Sequence, residues 1–156
     1  MGDHVRANGE NKSAGFTLIE VLIVLVIIAI LASIALNVAF HAFDVSRAGR
    51  TVSDMRGITT AILKYESDHG GLPGGGLQPI SDIVDATGDQ MAGTIAEKDG
   101  WGHTIYYEDV TINGELTFRV YCYGKDGTPD GAITGNYDDF YSDIVIESGT
   151  FVQSKW

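Results

Sequence analysis

Cysteine and basic residues are scarce in this chain, and each shortage excludes a class of protein. Cys122 is the only cysteine, so the sequence cannot form an intrachain disulfide. Lysine and arginine number 10 against 21 aspartates and glutamates, for a formal net charge of −11. Such an acidic surface is unsuited to nucleic acid. Because His41, His69 and His103 are dispersed and Cys122 lacks an obvious base, we predict no catalytic residues and no enzymatic activity.

Charge is also absent from Val21 to Phe43, where no Asp, Glu, Lys or Arg occurs. A helix rises roughly 1.5 Å per residue, so this run is long enough to cross a hydrocarbon core of about 30 Å. We therefore predict a membrane-spanning helix. Glu20 directly precedes the run, and a carboxylate near hydrocarbon is costly unless a positive charge meets it. No Lys or Arg is within reach along this helix, so we expect a partner charge from elsewhere.

The residues in front of the apolar run predict processing that leaves it attached. Residues 1–15 are polar, and the small pair Ala14-Gly15 precedes the hydrophobic segment. A secretory signal has the opposite order, with its small residues after the apolar region. We therefore expect any cleavage to fall before the hydrophobic segment.

Beyond the membrane run, the pattern predicts a helix with one buried face. Apolar positions recur at three- and four-residue spacing from Ala48 to Tyr65, and Gly70 to Gly76 is rich in glycine. Because glycine and proline make helix continuation unfavourable, we expect one helix from Phe16 to Asp68. A short helix over Pro79 to Asp85, capped by Ser81, is also predicted.

The C-terminal part predicts a small antiparallel sheet. Two runs rich in β-branched and aromatic residues, Thr104–Ile112 and Glu115–Tyr121, are joined by Asn113-Gly114, a strong hairpin signal. A third strand is expected at either Ile144–Ile146 or Thr150–Gln153. Cys122 continues an apolar run, which favours a buried, unreactive thiol. The predicted fold is therefore α+β, with the sheet packed on the second half of a long N-terminal helix.

Residues 15–21, Gly-Phe-Thr-Leu-Ile-Glu-Val, resemble the processing site of type IV pilins and type II secretion pseudopilins. The resemblance implies that a prepilin peptidase cleaves between Gly15 and Phe16 and methylates the new amine of Phe16. It also implies that Glu20, the fifth residue of the mature chain, meets the N-terminal ammonium of a neighbouring subunit. Two desolvated opposite charges are tolerable together and costly apart, so this account supplies the missing partner.

Motifs further along are most similar to the major pseudopilin of type II secretion. Three positions depart from that pattern: Gly100 and Asn37 replace prolines, and Leu72 replaces an aromatic residue. The fold implied is the type IV pilin-like fold. The matching motifs are Tyr65-Glu-Ser-Asp-His-Gly-Gly-Leu-Pro73, Gly76-Leu-Gln78, Asp99-Gly-Trp-Gly102 and Tyr123-Gly-Lys-Asp-Gly-Thr-Pro129.

The same resemblance implies a structural calcium ion in the last loop. Calcium takes six to eight oxygen ligands, which a folded-back loop rich in aspartate can supply. Lys125 is the only cation there, and the spacing is not that of an EF-hand. The alternative is a solvated acidic loop without metal. The expected ligands are Asp126, Asp138, Asp139 and Asp143, with Asp130 also in the loop.

Together these features predict four segments: a leader over residues 1–15, a transmembrane and filament-core helix over 16–43, its amphipathic continuation over 44–68, and a periplasmic domain over 69–156. The implied function is that of a pseudopilus subunit that polymerises to support protein export across the outer membrane. Implied partners are further copies of the chain, minor pseudopilins, the peptidase, an inner-membrane assembly platform and lipid. The implied location is the bacterial inner membrane. The alternatives are a surface pilin for adhesion or motility and a non-polymerising membrane anchor.

Overall fold

The computed structural model describes residues 15–87, 95–131 and 140–153. The chain divides into two compact units, Met1–Phe40 and His41–Trp156. Helix α1, Leu18–His69, runs through the boundary between them. The prediction of one long helix is therefore confirmed, although it begins two residues after Phe16.

The first unit contains the apolar part of α1. Every described residue from Gly15 to Phe43 is exposed, including large side chains such as Leu31 and Phe40. The helix is long and apolar enough to cross a membrane, and none of its most apolar window is buried. Because apolar side chains occur on every face of this part of the helix, its surface must be covered by lipid or by other helices.

The second unit has a hydrophobic core on one face of α1. Met55, Ile58 and Ile62 are fully buried there, against Phe118 and Ile146 of the sheet. Thr59 is also buried, and its hydroxyl donates to the Met55 carbonyl at 2.9 Å, so the core leaves this polar group satisfied. The predicted periodicity thus identifies the buried face of the helix.

The sheet has five antiparallel strands in the order β1-β2-β3-β4-β5. Asn113 and Gly114 both have positive φ, 54° and 87°, and they form the predicted two-residue turn. Ser148 and Gly149 do the same at 44° and 91°. The strands are β1 Gln78–Pro79, β2 Tyr106–Ile112, β3 Glu115–Cys122, β4 Ile144–Glu147 and β5 Thr150–Gln153.

Three details differ from the sequence prediction. Both candidates for the third strand form, because the turn at Ser148 and Gly149 pairs them as a hairpin. A two-residue strand, β1, was missed because it is too short to show alternation. Helix α2, Ile80–Thr87, begins before Ser81, whose hydroxyl donates to Asp82 and does not cap the helix.

Candidate functional site

The N-terminal turn of α1 is organised by Thr17 and Glu20. The Thr17 backbone N–H and hydroxyl donate to Glu20 Oε2 at 2.9 and 3.0 Å, and the Glu20 N–H donates to Thr17 Oγ1 at 3.3 Å. This reciprocal arrangement is a capping box, in which a threonine and a glutamate three residues later satisfy free helix N–H groups. The Thr-x-x-Glu spacing could have predicted it. Thr17 supplies neutral partners only, so the charge of Glu20 remains uncompensated within the described residues.

The proposed cleavage position lies just outside the helix. Gly15 and Phe16 precede α1 and are exposed, with Phe16 87% accessible. No atom lies within 4 Å of where a Gly15 side chain would begin. A peptidase needs an accessible segment, and both of these residues are exposed.

Among the described residues of the aspartate-rich loop, the carboxylate of Asp143 is buried. Its Oδ2 accepts the Asp130 N–H at 3.0 Å, and its own N–H donates to Asp130 Oδ2 at 3.0 Å. Its Oδ1 is buried and has no hydrogen-bond partner among the residues that the structure describes. Burial, followed by the charges of Asp130 and Asp126, raises the pKa of Asp143 to about 6. The surroundings of Asp143 therefore disfavour its charged form.

These features fit a hard cation with oxygen ligands. A buried carboxylate oxygen without a donor, next to two further carboxylates, is what calcium would satisfy. Asp126 is exposed and its Oδ1 accepts the Thr128 N–H at 3.1 Å. Among the residues that the structure describes, no group of three metal-binding side chains is assembled. Two of the four predicted ligands, Asp138 and Asp139, lie outside those residues.

The start of this loop is attached to α1. Lys125 Nζ lies 2.7 Å from Asp44 Oδ2, and the Lys125 N–H donates to the Phe140 carbonyl at 2.8 Å. The hydrogen bond from Lys125 lowers the pKa of Asp44. The lysine that looked like an isolated cation in an acidic loop therefore has a specific acidic partner on the helix.

A second polar cluster surrounds Asp99 in the Asp-Gly-Trp-Gly motif. Its Oδ1 accepts the backbone N–H groups of Trp101 and His103 at 2.9 and 2.8 Å. Its Oδ2 accepts the Cys122 thiol at 2.9 Å, and His103 Nδ1 lies 3.8 Å away. Burial, and then the charge of Asp99, raises the pKa of Cys122. The cluster therefore keeps the thiol protonated, which is the opposite of activating a nucleophile.

Gly100 explains why this motif lies so close to α1. Its N–H donates to Thr51 Oγ1 at 2.8 Å, and a Cβ at this position would lie 2.3 Å from the Arg47 carbonyl oxygen. A proline at this position would have no N–H to make that hydrogen bond. The departure at Gly100 therefore corresponds to a specific close contact.

Comparison with known proteins identifies the N-terminal segment and the part of the chain that follows it. Residues 11–36 match the prokaryotic N-terminal methylation motif, and residues 39–140 match the family described as type II secretion system (T2SS), protein G. The chain belongs to the type II secretion protein G family. It is 29% identical over 148 residues to the type II secretion system core protein G of Xanthomonas campestris pv. campestris, with 91% of this chain and 95% of the relative covered. No solved structure matches it.

Membership in the protein G family confirms the predicted identity and function. The chain is a structural subunit of a type II secretion pseudopilus, with an N-terminal methylation motif and a membrane-anchoring helix. The family match favours the pseudopilin over the surface pilin. The buried, protonated Cys122 agrees with a structural protein.

Proposed function

We propose that the subunit polymerises by packing residues 16–43 of adjacent copies helix against helix, with the second unit on the outside of the filament. The observation that carries this proposal is that every apolar residue between Gly15 and Phe43 is exposed. Leaving the bilayer costs such a helix little if it exchanges lipid contacts for contacts with other apolar helices.

We propose that a prepilin peptidase cleaves between Gly15 and Phe16 and methylates the amine of Phe16. The exposure of both residues and the match to the methylation motif support this. Mass spectrometry of the protein purified from its native membrane tests it directly. We expect a chain that begins at methylated Phe16; a chain that still begins at Met1 in cells with active peptidase would contradict the proposal.

Glu20 is proposed to set the register of assembly by meeting the N-terminal ammonium of a neighbouring subunit. Among the described residues it receives hydrogen bonds from the neutral donors of Thr17 alone, which leaves its charge for another partner. Pairing the two charges makes their removal from water tolerable, because each charge alone is costly in hydrocarbon.

Replacing Glu20 tests this role separately from processing. We expect Glu20→Gln and Glu20→Ala to insert and be cleaved normally but to form few or no filaments, measured by electron microscopy of sheared cells and N-terminal mass spectrometry. Glu115→Gln, at an exposed carboxylate of β3, is the control and should assemble normally. Normal filaments from both Glu20 variants would refute the register role.

We also propose that calcium binds in the aspartate-rich loop, with Asp143, Asp126, Asp138 and Asp139 as candidate ligands and Asp130 beside them. The unpartnered buried Oδ1 of Asp143 supports this. Bound calcium would supply the positive charge that this group of carboxylates lacks. Without it, the loop holds a buried anion among like charges, which is unfavourable.

A calcium titration of the full chain in detergent micelles tests the site. We expect chelation to lower the Tm and calcium to restore it, because a ligand that binds only the folded state stabilises it. Asp143→Asn should lose this response, whereas Asp85→Asn, an exposed aspartate of α2, should keep it. An unchanged Tm at saturating calcium would rule out a structural calcium site.

The proposed cellular setting follows from the family. The helix would be anchored in the bacterial inner membrane, with the second unit in the periplasm and the filament supporting export across the outer membrane. Minor pseudopilins and an inner-membrane assembly platform are the proposed partners. Crosslinking of the native complex with a photoreactive group at residue 36 would capture them, and capture of no other pseudopilin would contradict this setting.

A further inference from the structure

Aromatic side chains gather around one turn of α1, His41–Asp44, at the start of the second unit. The Phe140 ring lies 5.5 Å from the His41 ring, and Tyr141 packs beside Lys125, whose Nζ lies 5.3 Å from the Tyr141 ring centre. Lys125 in turn binds Asp44 at 2.7 Å. Residues distant in sequence thus form a surface, here called the membrane-proximal patch, defined by Phe140, Tyr141 and Lys125.

The position of the patch follows from the helix residues it contacts. His41 lies within the predicted membrane-spanning segment, which ends at Phe43, and Asp44 is the next residue. A helix rises roughly 1.5 Å per residue, so Asp44 lies within about 5 Å of His41 along the axis. Phe140 and Lys125 therefore contact the helix where it leaves the hydrocarbon.

The composition of the patch suits a bilayer interface. Tyrosine combines an apolar ring with a hydroxyl, and such rings are enriched at the level of lipid headgroups. Tyr141 is 50% exposed in spite of its size. Lys125 carries a long apolar stem that ends in an ammonium, and one third of its side chain is exposed.

The charges beside the patch compensate one another. Lys125 is paired with Asp44, exposed Arg47 also lowers the pKa of Asp44, and exposed Asp126 follows Lys125 in the chain. Two cations therefore stand beside two carboxylates. A surface that held anionic lipid by charge would need an excess of cations, which the described residues of this surface do not provide. Any attraction to the bilayer must come from the aromatic rings.

We propose that the membrane-proximal patch rests in the headgroup region of the bilayer that anchors α1, so that Phe140 and Tyr141 hold the second unit against the membrane before assembly. This inference rests on the proposed membrane anchoring of the helix. The contact is aromatic, so it should depend little on salt or on the fraction of anionic lipid.

Fluorescence quenching in vesicles tests the proposal with the full chain. A bimane label is placed at Tyr141→Cys, at Leu116→Cys as a control, and at Ala32→Cys to report insertion. Leu116 is 58% exposed, and its neighbour Thr117 contacts Ser148. Gly149, which follows Ser148, lies near Thr59 and Leu63 of α1. The control is therefore far from Asp44 along the helix. Cys122 is buried, so the unsubstituted chain is the unlabelled blank.

The vesicles contain phosphatidylethanolamine and phosphatidylglycerol, with nitroxide-labelled headgroups for residues 141 and 116 and acyl-chain nitroxides for residue 32. We expect quenching at residues 32 and 141, at low and high salt, and none at residue 116. Quenching at residue 32 without quenching at 141 would overturn this inference alone. Absence of quenching at both would overturn the membrane anchoring and this inference with it.

A second copy of the chain is the other occupant that this surface could have. In that case the label at residue 141 would escape the headgroup nitroxides, and its protection from aqueous iodide would increase with the ratio of protein to lipid. This result would also overturn the proposal. Quenching at residue 141 that persists as protein is diluted in lipid would support it.

Discussion

The two parts of helix α1 differ in how their apolar side chains are used. Up to Phe43 every described residue is exposed, whereas beyond it Met55, Ile58 and Ile62 are fully buried against the sheet. The first part is apolar all round and the second on one face only. The comparison shows that two parts of one continuous helix can pack against different partners, because the width of the apolar surface determines which partner can cover it.

The largest expected effect tests that division of roles. Ile58→Ala should lower the free energy of unfolding of the second unit by about 2–5 kcal/mol, because it leaves a cavity in the core. Ile30→Ala removes the same atoms from a side chain that is 57% exposed and should leave this free energy unchanged. Denaturant unfolding in micelles, followed by tryptophan fluorescence, measures both. Equal losses would contradict the comparison.

The pH dependence of stability tests the carboxylate that the second unit buries. The folded state holds the pKa of Asp143 at about 6, above its usual 3.8, so it binds more protons than the unfolded state between these values. The metal-free protein should therefore lose stability as pH rises through this window. Asp143→Asn should remove this dependence and be more stable at pH 7 by up to about 3 kcal/mol, the equivalent of that pKa difference. A wild-type stability that instead rises from pH 4 to 6, with no change in slope in the variant, would contradict the prediction.

Substitutions at two glycines compare a position where a loop contacts the second part of α1 with a position of that part where an added Cβ has no neighbour within 4 Å. Gly100→Ala places a Cβ against the Arg47 carbonyl and should destabilise the protein by about 1–3 kcal/mol. Gly57→Ala meets open space within the helix and should stabilise it by about 0.5–1 kcal/mol. Thermal unfolding of the monomer measures both, and changes of the same sign would show that the close approach at Gly100 has no energetic consequence.

The smallest effect is expected at the start of the first part. Thr17→Ala removes half of the capping box and should cost about 1 kcal/mol, confined to the first turn of α1. Faster amide hydrogen exchange in that turn, with unchanged Tm of the second unit, is the expected result. Thr60→Ala, at an exposed position in the middle of α1, is the control and should leave that turn unchanged. Equal exchange in the wild type and in Thr17→Ala would show that the cap is not important.

The site was only partly predictable from the sequence. Glu20 and Asp143 were both identified, but their partners were not: Thr17 caps the first, and Asp130 exchanges hydrogen bonds with the second. The Thr17 cap has a local signal, since its spacing from Glu20 is fixed by one turn of helix. The contact of Lys125 with Asp44 has none, because the two residues lie 81 positions apart.

The long helix, the change in its apolar surface and the turn at Asn113 and Gly114 could be predicted from the sequence, because periodicity and turn geometry depend on neighbouring residues. Which polar groups meet is set by the tertiary fold. The fold brings Cys122 to Asp99 and Gly100 to Thr51, and among the described residues it places no donor at the buried Asp143 Oδ1. These contacts join segments far apart in the chain, and their energies depend on burial and distance, which no local pattern encodes.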